Sequence, residues 1–308
     1  MANLGSSDLD VHPLCLGGNV FGWTADRDAS FAVLDAYAAA GGNFIDTAAG
    51  YSAWVPGDKG GESETIIGEW FAARGNRDEM VVATKIRDDL SPDSVRRRAQ
   101  ECAQRLQTDV IDLFYIHYDD VERPMEEILA GFDALVQEGL VRYNAFSNIS
   151  EERLREALAI IEREGYAPFV AWQPHYNLME REPFESRQRP IAQEAGLAVL
   201  PYWALASGFL TGKYRPGQEI DSPRAGQAGR YLEDPRAQPV LDALDEISAA
   251  HETTVSAVAL AWLAAQPTVF GPVASARSVE QLAGILPFVD LRLSDDELRR
   301  LDEASAPA

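Results

Sequence analysis

A single-domain α/β fold, a closed (β/α)8 barrel of the TIM type over residues 1–308, is what this sequence predicts, and three observations carry the prediction. Short apolar, β-branched runs alternate with amphipathic helical stretches along the chain. About eight such strand–helix pairs can be counted, the number a closed barrel needs, with no gap large enough for a second domain. Polar residues of unlike chemistry gather where the apolar runs stop: Asp46, Tyr51, Lys85 and His117. The carboxyl ends of parallel strands are where barrels of this kind keep their chemistry.

In order, PLCLGG leads into SFAVLDAYAAAG, GNFIDT into SETIIGEWFAAR, and MVVATKI into SPDSVRRRAQECAQRL. DVIDLFYIH precedes PMEEILAGFDALVQEG, LVRYNAFSN precedes SEERLREALAIIERE, and PFVAWQP precedes a helix near 184–195. LAVLPYW runs into an irregular stretch, 204–236, rich in Gly, Pro and Arg; it is too long for a connector and is a candidate lid. TVFGPVA is the last strand, ahead of SVEQLAGIL. Ser91 before Pro92, Ser150 before Glu151 and Glu152, and Ser294 before Asp295 and Asp296 have the chemistry of helix caps.

With 308 residues and 46% hydrophobic composition the chain can bury a large core. Its 49 acidic and 27 basic residues leave a net charge of −22, which repels nucleic acid and acidic membranes over most of the surface. An anionic ligand therefore needs a locally basic pocket. Two cysteines, Cys15 and Cys102, lack the spacing of a disulfide framework or a zinc site, so no metal is expected. The N-terminus has neither the basic start nor the apolar core of a signal peptide, and a cytoplasmic protein is expected. Residues 253–276 carry no charge, but prolines interrupt them, so they read as a buried helix, VSAVALAWLAAQ, followed by the last strand rather than as a membrane span.

A tyrosine, with an ordinary pKa of about 10, is a poor proton donor to a carbonyl unless a cation stabilises its phenolate. Lys85 can supply that charge, Asp46 can keep a buried Lys85 protonated, and His117 can donate to the same carbonyl oxygen. Taken singly, each has a blander reading: a structural ion pair, a tyrosine with its hydroxyl in water, a satisfied core histidine. As a set on one rim they favour function, because a barrel rim is a costly place for four unmatched polar groups.

These residues also carry a resemblance. GGNFIDTAAGYS is similar to the signature of the aldo-keto reductase superfamily around its catalytic aspartate and tyrosine. GESETIIGEW, VVATKI, RLQTDVIDLFYIH, VQEGLVRYNAFSN, QPHYNL, LPYWALASGFLTGKY and VALAWLAAQP resemble successive further blocks, from about Leu14 to Leu286. The resemblance implies an NADP(H) cofactor lying extended across the carboxyl-end rim and reversible carbonyl reduction with Tyr51 as general acid. Asp46, Lys85 and His117 match the remaining catalytic positions.

The same resemblance places Ser147, Asn148 and Gln173 on the nicotinamide carboxamide, which needs both a donor and an acceptor, and Tyr202 against the nicotinamide ring. Gly208, Leu210, Gly212 and Lys213 fall in the segment that wraps the pyrophosphate, with Trp23, Ala204 and Leu205 also along the cofactor. Ser275 and Arg277 match the grip on the 2′-phosphate, with Gln281 near the adenine. The chain departs from the pattern at Gly284 and Ile285, where many relatives carry Glu-Asn, and at Phe146, where a small residue is usual.

GFLTGKY, from Gly208, has three residues between its glycines rather than a P-loop's four and ends without the magnesium-binding hydroxyl. GGNVFG, from Gly17, lacks the spacing of a Rossmann turn. Trp23, Trp54, Tyr118 and Trp203, with Phe21, lie in or beside rim loops and can receive a ring-shaped carbonyl compound, either an aromatic aldehyde or ketone or a sugar; core packing competes, most strongly for Phe21. The partner expected is thus a small carbonyl or alcohol, with no nucleic acid or membrane, and the oligomeric state stays open. A different class of function is a nucleotide-sensing regulator similar to the β subunits of voltage-gated potassium channels; the chain opens almost at the first barrel hairpin, and no appended interaction segment is expected. A two-carboxylate hydrolase would need a free carboxylate pair, and Asp46 already has Lys85 as its match.

Overall fold

The computed structural model describes every residue except Pro56, Glu219, Asp221, Ser222 and Ala308. Two short strands, β1 (Ala2–Asn3) and β2 (Asp10–Val11), form an antiparallel hairpin. Eight strands follow: β3 (Cys15–Gly17), β4 (Phe44–Asp46), β5 (Val81–Ile86), β6 (Ile111–Ile116), β7 (Val141–Ser147), β8 (Phe169–Gln173), β9 (Ala198–Val199) and β10 (Val273–Ala274). All neighbours are parallel, in the order β10-β3-β4-β5-β6-β7-β8-β9. The sheet curls shut: Val199 bridges Val269, Phe270 N donates to Val199 O at 2.9 Å, and Val273 N donates to Pro201 O at 3.0 Å. The expected (β/α)8 barrel is the fold that forms.

The last strand is shorter than TVFGPVA suggested. Pro272 has no N–H to give a ladder, though its carbonyl accepts from Cys15 N at 3.1 Å. A Cβ on Gly271 would stand 1.9 Å from Pro13 O, so the two backbones pass too closely for a side chain.

Helices α1 (Arg27–Ala39), α2 (Glu62–Arg74), α3 (Pro92–Arg105), α4 (Met125–Gln137) and α5 (Glu151–Glu164) wrap the outside. The stretch at 184–195 is a π-helical turn, Phe184–Gln188, running into α6 (Arg189–Glu194). A short α7 (Ala225–Gly229) lies inside the irregular segment, and a long α8 (Ala237–Ala250), which the sequence reading did not isolate, follows it. The uncharged segment forms α9 (Val255–Ala264), and α10 (Val279–Ile285) and α11 (Asp295–Ala304) end the chain. Among the described residues no helix is long and apolar enough to cross a membrane. Ser150 accepts from Arg153 N at 3.2 Å, and Ser294 closes a full capping box with Glu297. Ser91 holds the cap position before Pro92, but its hydroxyl makes no capping bond; the turn is tied instead by Ser91 N donating to Asp89 Oδ1.

Two apolar layers result. One fills the space between strands and helices; the other, including Phe44, Ala83, Leu113, Tyr115, Ala145 and Ala171, fills the barrel and is floored by Leu4, Leu9 and Val11 of the hairpin. Side chains alternate along a strand with period 2, so the next step of each inward row is a site residue. Phe44 leads to Asp46, Ala83 to Lys85, Tyr115 to His117, Ala145 to Ser147 and Ala171 to Gln173. Register across the sheet, with Lys85 opposite Tyr115 and Ser147 opposite Gln173, brings those steps to one rim.

Candidate active site

At that rim Lys85 is fully buried and donates to Asp46 Oδ2 at 2.6 Å, Thr47 O at 2.8 Å and the Tyr51 hydroxyl at 2.9 Å. All three ammonium hydrogens are thereby used, which is what a buried cation requires. Asp46, also buried, accepts from Tyr51 Oη at 3.2 Å and, on its other oxygen, from Gln173 Nε2 at 2.9 Å. The buried Asp46–Lys85 ion pair is thus aimed at one phenol.

The electrostatics correct one expectation. The Tyr51 pKa lies well above its ordinary value, pushed up by burial and then by the Asp46 carboxylate. Lys85 touches the phenol oxygen, but Asp46 at 2.6 Å neutralises its charge, so no net cation remains to make the resting phenol acidic. The proton therefore stays on Tyr51. The Lys85 contact can act only as negative charge develops on the oxygen.

His117 packs edge-on to Tyr51, with ring centroids 6.0 Å apart. Burial, then Lys85 and Arg87, hold its pKa well below the ordinary value, so the imidazole is neutral. Its Nδ1 is buried without a partner among the described residues, and its backbone carbonyl accepts from Asn148 Nδ2 at 2.8 Å. A neutral ring whose Nε2 bears the proton can donate to a carbonyl oxygen placed beside Tyr51.

These groups form one end of a cleft of about 890 Å³. Its walls bring together Trp23, Trp54, Tyr118, Ser147, Asn148, Gln173, Tyr202, Trp203, Ala204, Leu205, Gly208, Lys213, Ser275, Arg277 and Gln281, as the sequence reading grouped them. Lys85 lies beneath the floor. Leu210 and Gly212 do not reach the walls: Leu210 is core, and Gly212 (φ +77°) ends the turns of Ala206–Thr211. Phe21 is fully buried, so packing is its role, and its carbonyl accepts from Ser52 Oγ at 3.2 Å.

The positions that the resemblance matched to the nicotinamide side are already interlocked. Ser147 Oγ donates to Gln173 O at 2.9 Å, Asn148 Nδ2 to Ser147 Oγ at 3.0 Å, and Tyr202 Oη to Asn148 Oδ1 at 3.0 Å. Tyr202 stacks on His175, with centroids 5.3 Å apart and planes 13° apart, so one face is covered while the residue lines the cleft. Phe146, the departure noted above, stacks at 4.1 Å on Phe169 in the outer layer and stays out of the cleft. Ser275 Oγ donates to Asn19 Oδ1, and Gln281 Oε1 accepts from Arg277 N at 3.1 Å. Gly284 and Ile285 line the cleft beside them.

Segment 204–236 builds one wall, with three of its residues, Glu219, Asp221 and Ser222, outside the described ones. Trp203, Ala206 and Ser207 have positive φ, a conformation costing non-glycine residues about 1–3 kcal/mol each and concentrated at functional sites. Gly208, at φ +98°, meets the same demand freely. Arg224 lies over the Trp23 ring, 5.3 Å from its centroid, joining this wall to the loop after β3.

Arg87 and Arg224 were not singled out in the sequence, since an arginine in a loop carries no periodic signal. Among the described residues they make, with Lys213 and Arg277, four cations on the cleft walls, against one described carboxylate, Asp46, which Lys85 already neutralises. In a chain of net charge −22 this is the locally basic pocket that an anionic ligand needs. Extended cleft, cations and stacking ring together fit a phosphate-bearing dinucleotide. Among the described residues no cluster of three or more His, Cys, Asp or Glu could hold a metal ion.

The profile of the aldo/keto reductase family matches residues 13–306. The chain is 33% identical to the uncharacterized oxidoreductase YrpG of Bacillus subtilis, over 97% of this chain and 94% of that one. It is 30% identical to a norsolorinic acid reductase of Aspergillus flavus (97% and 79%) and 30% identical to an aryl-alcohol dehydrogenase of Pestalotiopsis microspora (97% and 80%). A barrel with an aspartate–lysine–tyrosine cluster at its carboxyl-end rim and a family match across nearly its whole length make this chain an oxidoreductase of the aldo/keto reductase family.

Proposed function

We propose that this chain is an NADPH-dependent reductase of aromatic aldehydes and ketones, working reversibly on the matching alcohols, with Tyr51 as the general acid. The observation that carries the reading is the Tyr51 hydroxyl held 2.9 Å from Lys85 Nζ and 3.2 Å from Asp46 Oδ2 at the floor of an aromatic-lined cleft. The names of the two fungal relatives, a norsolorinic acid reductase and an aryl-alcohol dehydrogenase, support the aromatic class. The rim tryptophans agree with it: Trp54 is 50% and Trp203 40% exposed, so each keeps surface for a planar ligand.

Bound NADPH supplies the hydride. Ser147, Asn148 and Gln173 would hold the carboxamide of its nicotinamide, Tyr202 would offer its free face to the ring, and Arg277 with Ser275 would take the 2′-phosphate, while Lys213 would add charge for the pyrophosphate. The substrate oxygen sits between Tyr51 Oη and His117. As negative charge builds there, the phenol turns its hydrogen from Asp46 to that oxygen, and Lys85 holds the emerging phenolate through a contact already formed. His117, neutral, donates a second hydrogen bond without competing for the proton.

Tyr51→Phe tests this directly, because it deletes one hydroxyl and leaves Lys85 bonded to Asp46 and Thr47. NADPH affinity should be nearly unchanged, while single-turnover hydride transfer to an aromatic aldehyde should fall about 10²–10⁴-fold, the scale of a general acid. An unchanged rate would remove Tyr51 from the role. NADPH binding without hydride transfer to any of a broad carbonyl panel would favour a nucleotide-sensing protein instead.

A further inference from the structure

Arg87 follows Lys85 by one inward step at the end of β5, and its side chain comes out into the cleft. Its guanidinium lies against the residue just before the acid, since a Cβ added to Gly50 would stand 3.5 Å from Arg87 Nε. The neighbouring strand ends frame it with rings: Trp54 beside Tyr51, with centroids 6.2 Å apart, and Tyr118 beside His117, 4.9 Å apart. Its backbone is held, with Arg98 Nη1 donating to the Arg87 carbonyl. Its charge is nearly unspent. The ion pair it makes among the described residues is with Asp88 at 3.6 Å, beyond hydrogen-bond length, and the Asp88 side chain is 75% exposed.

The other cations on the cleft walls lie elsewhere. Lys213 and Arg224 come from the segment after β9, and Arg277 follows β10, on the side of the barrel to which the reading above assigns the nucleotide. Arg87 stands after β5, between the loops that carry Tyr51 and His117. A cation there serves the substrate rather than the cofactor. An acidic substituent would need it, because the rest of this strongly acidic protein repels one.

We propose that Arg87 binds a carboxylate carried by the substrate, so that the preferred substrates are aromatic aldehydes or ketones bearing an acid group. This rests on the reductase reading above. The aromatic ring sits among Trp54, Tyr118 and the rim tryptophans, the carbonyl reaches Tyr51 and His117, and the carboxylate meets the guanidinium in a charge-assisted pair. The acid group takes no part in the chemistry. Hydride and the Tyr51 proton convert the carbonyl to an alcohol, and the carboxylate leaves unchanged.

The test compares 3- and 4-carboxybenzaldehyde with their methyl esters, which match them in shape but carry no charge. In the unmodified protein kcat/KM should favour the better acid over its ester by roughly 1.5- to 5-fold, the range for a partly exposed pair, and the preference should shrink as salt is added. In Arg87→Met that ratio should collapse to about one or below, and Arg87→Lys should keep part of it. A ratio near one in the unmodified protein overturns the inference, as does Arg87→Met slowing acid and ester equally, the mark of a merely structural arginine. Reduction of the esters without acid preference would leave the reductase reading standing and sink only this one; reduction of no carbonyl compound would sink both.

Discussion

Lys85→Met puts the central pair to a quantitative test. Lys85 and Asp46 have side-chain exposures of 0% and 1% and meet at 2.6 Å, so removing the cation strands a carboxylate where water does not reach it. Breaking a buried pair by removing one partner costs about 3–5 kcal/mol. Asp46 keeps two donors, Gln173 at 2.9 Å and Tyr51 at 3.2 Å, which places the loss toward the lower part of that range, while Thr47 O loses its donor outright. Domains of this kind have about 5–15 kcal/mol to lose, so the variant should remain folded with a lower urea midpoint. Asp46→Asn should cost a similar amount by stranding the ammonium. The double variant removes both charges, and its loss should fall short of the sum of the single losses by about 2–3 kcal/mol. Turnover should drop at least about 10²-fold in all three, because Lys85→Met and the double variant lose the cation set against the phenol and Asp46→Asn loses the carboxylate that holds Lys85 and Tyr51 in place. Urea unfolding followed by far-UV circular dichroism, with NADPH turnover measured on the same samples, reads both effects. Additive losses, or single variants with full turnover, would refute the idea that the pair exists to serve Tyr51.

Three further outcomes are expected. Arg277→Ala should weaken NADPH by about 1.5–3 kcal/mol, the value of a hydrogen bond to a charged group, and leave NADH almost untouched in a fluorescence titration; equal losses would show that Arg277 supports the fold. Burial holds His12, His117 and His175 below their ordinary pKa of 6.5, so the unfolded chain binds more protons than the folded one once pH drops below that value. Stability should therefore be flat above about pH 6.5 and decline below it, by up to about 1.4 kcal/mol per pH unit for each histidine, with carboxylates such as Asp35 and Glu185 adding to the loss only nearer pH 4. His117→Asn should flatten part of that slope in urea titrations between pH 7.5 and 5, and an unaltered slope would contradict the assignment. Gly68→Ala, inside α2, should destabilise despite alanine's better helix propensity of roughly 0.5–1 kcal/mol. Its new methyl would stand 2.2 Å from Arg105 O, and a raised thermal midpoint would show that α2 and α3 can move apart.

Much of the site was legible in the chain because a barrel makes strand ends and site residues coincide. Asp46, Lys85, Ser147 and Gln173 each close a period-2 apolar row, and such a row announces its own end. Arg87 and Arg224 were not legible, since arginines in loops fit no pattern. The role of Gln173 was legible only in part: sequence blocks placed it near the nicotinamide, whereas its hydrogen bond to Asp46 joins residues 127 positions apart. Helix α8 was lost for a related reason, because the irregular segment before it hides where periodicity resumes.

By itself the sequence determined which residues could act: a phenol, an ammonium, a carboxylate and an imidazole gathered at three strand ends, on a surface too acidic for nucleic acid. Local chemistry suffices for that, because alternation, turn residues and charge are properties of neighbours along the chain. Closure of the sheet decided how they act. It set Asp46 so close to Lys85 that the pair is neutral toward Tyr51, leaving burial to keep the phenol protonated. It also gathered Arg87, Lys213, Arg224 and Arg277 onto one cleft and sent Phe21 into the core. Desolvation and charge compensation depend on distances between residues far apart in sequence, and only the packed barrel sets those distances.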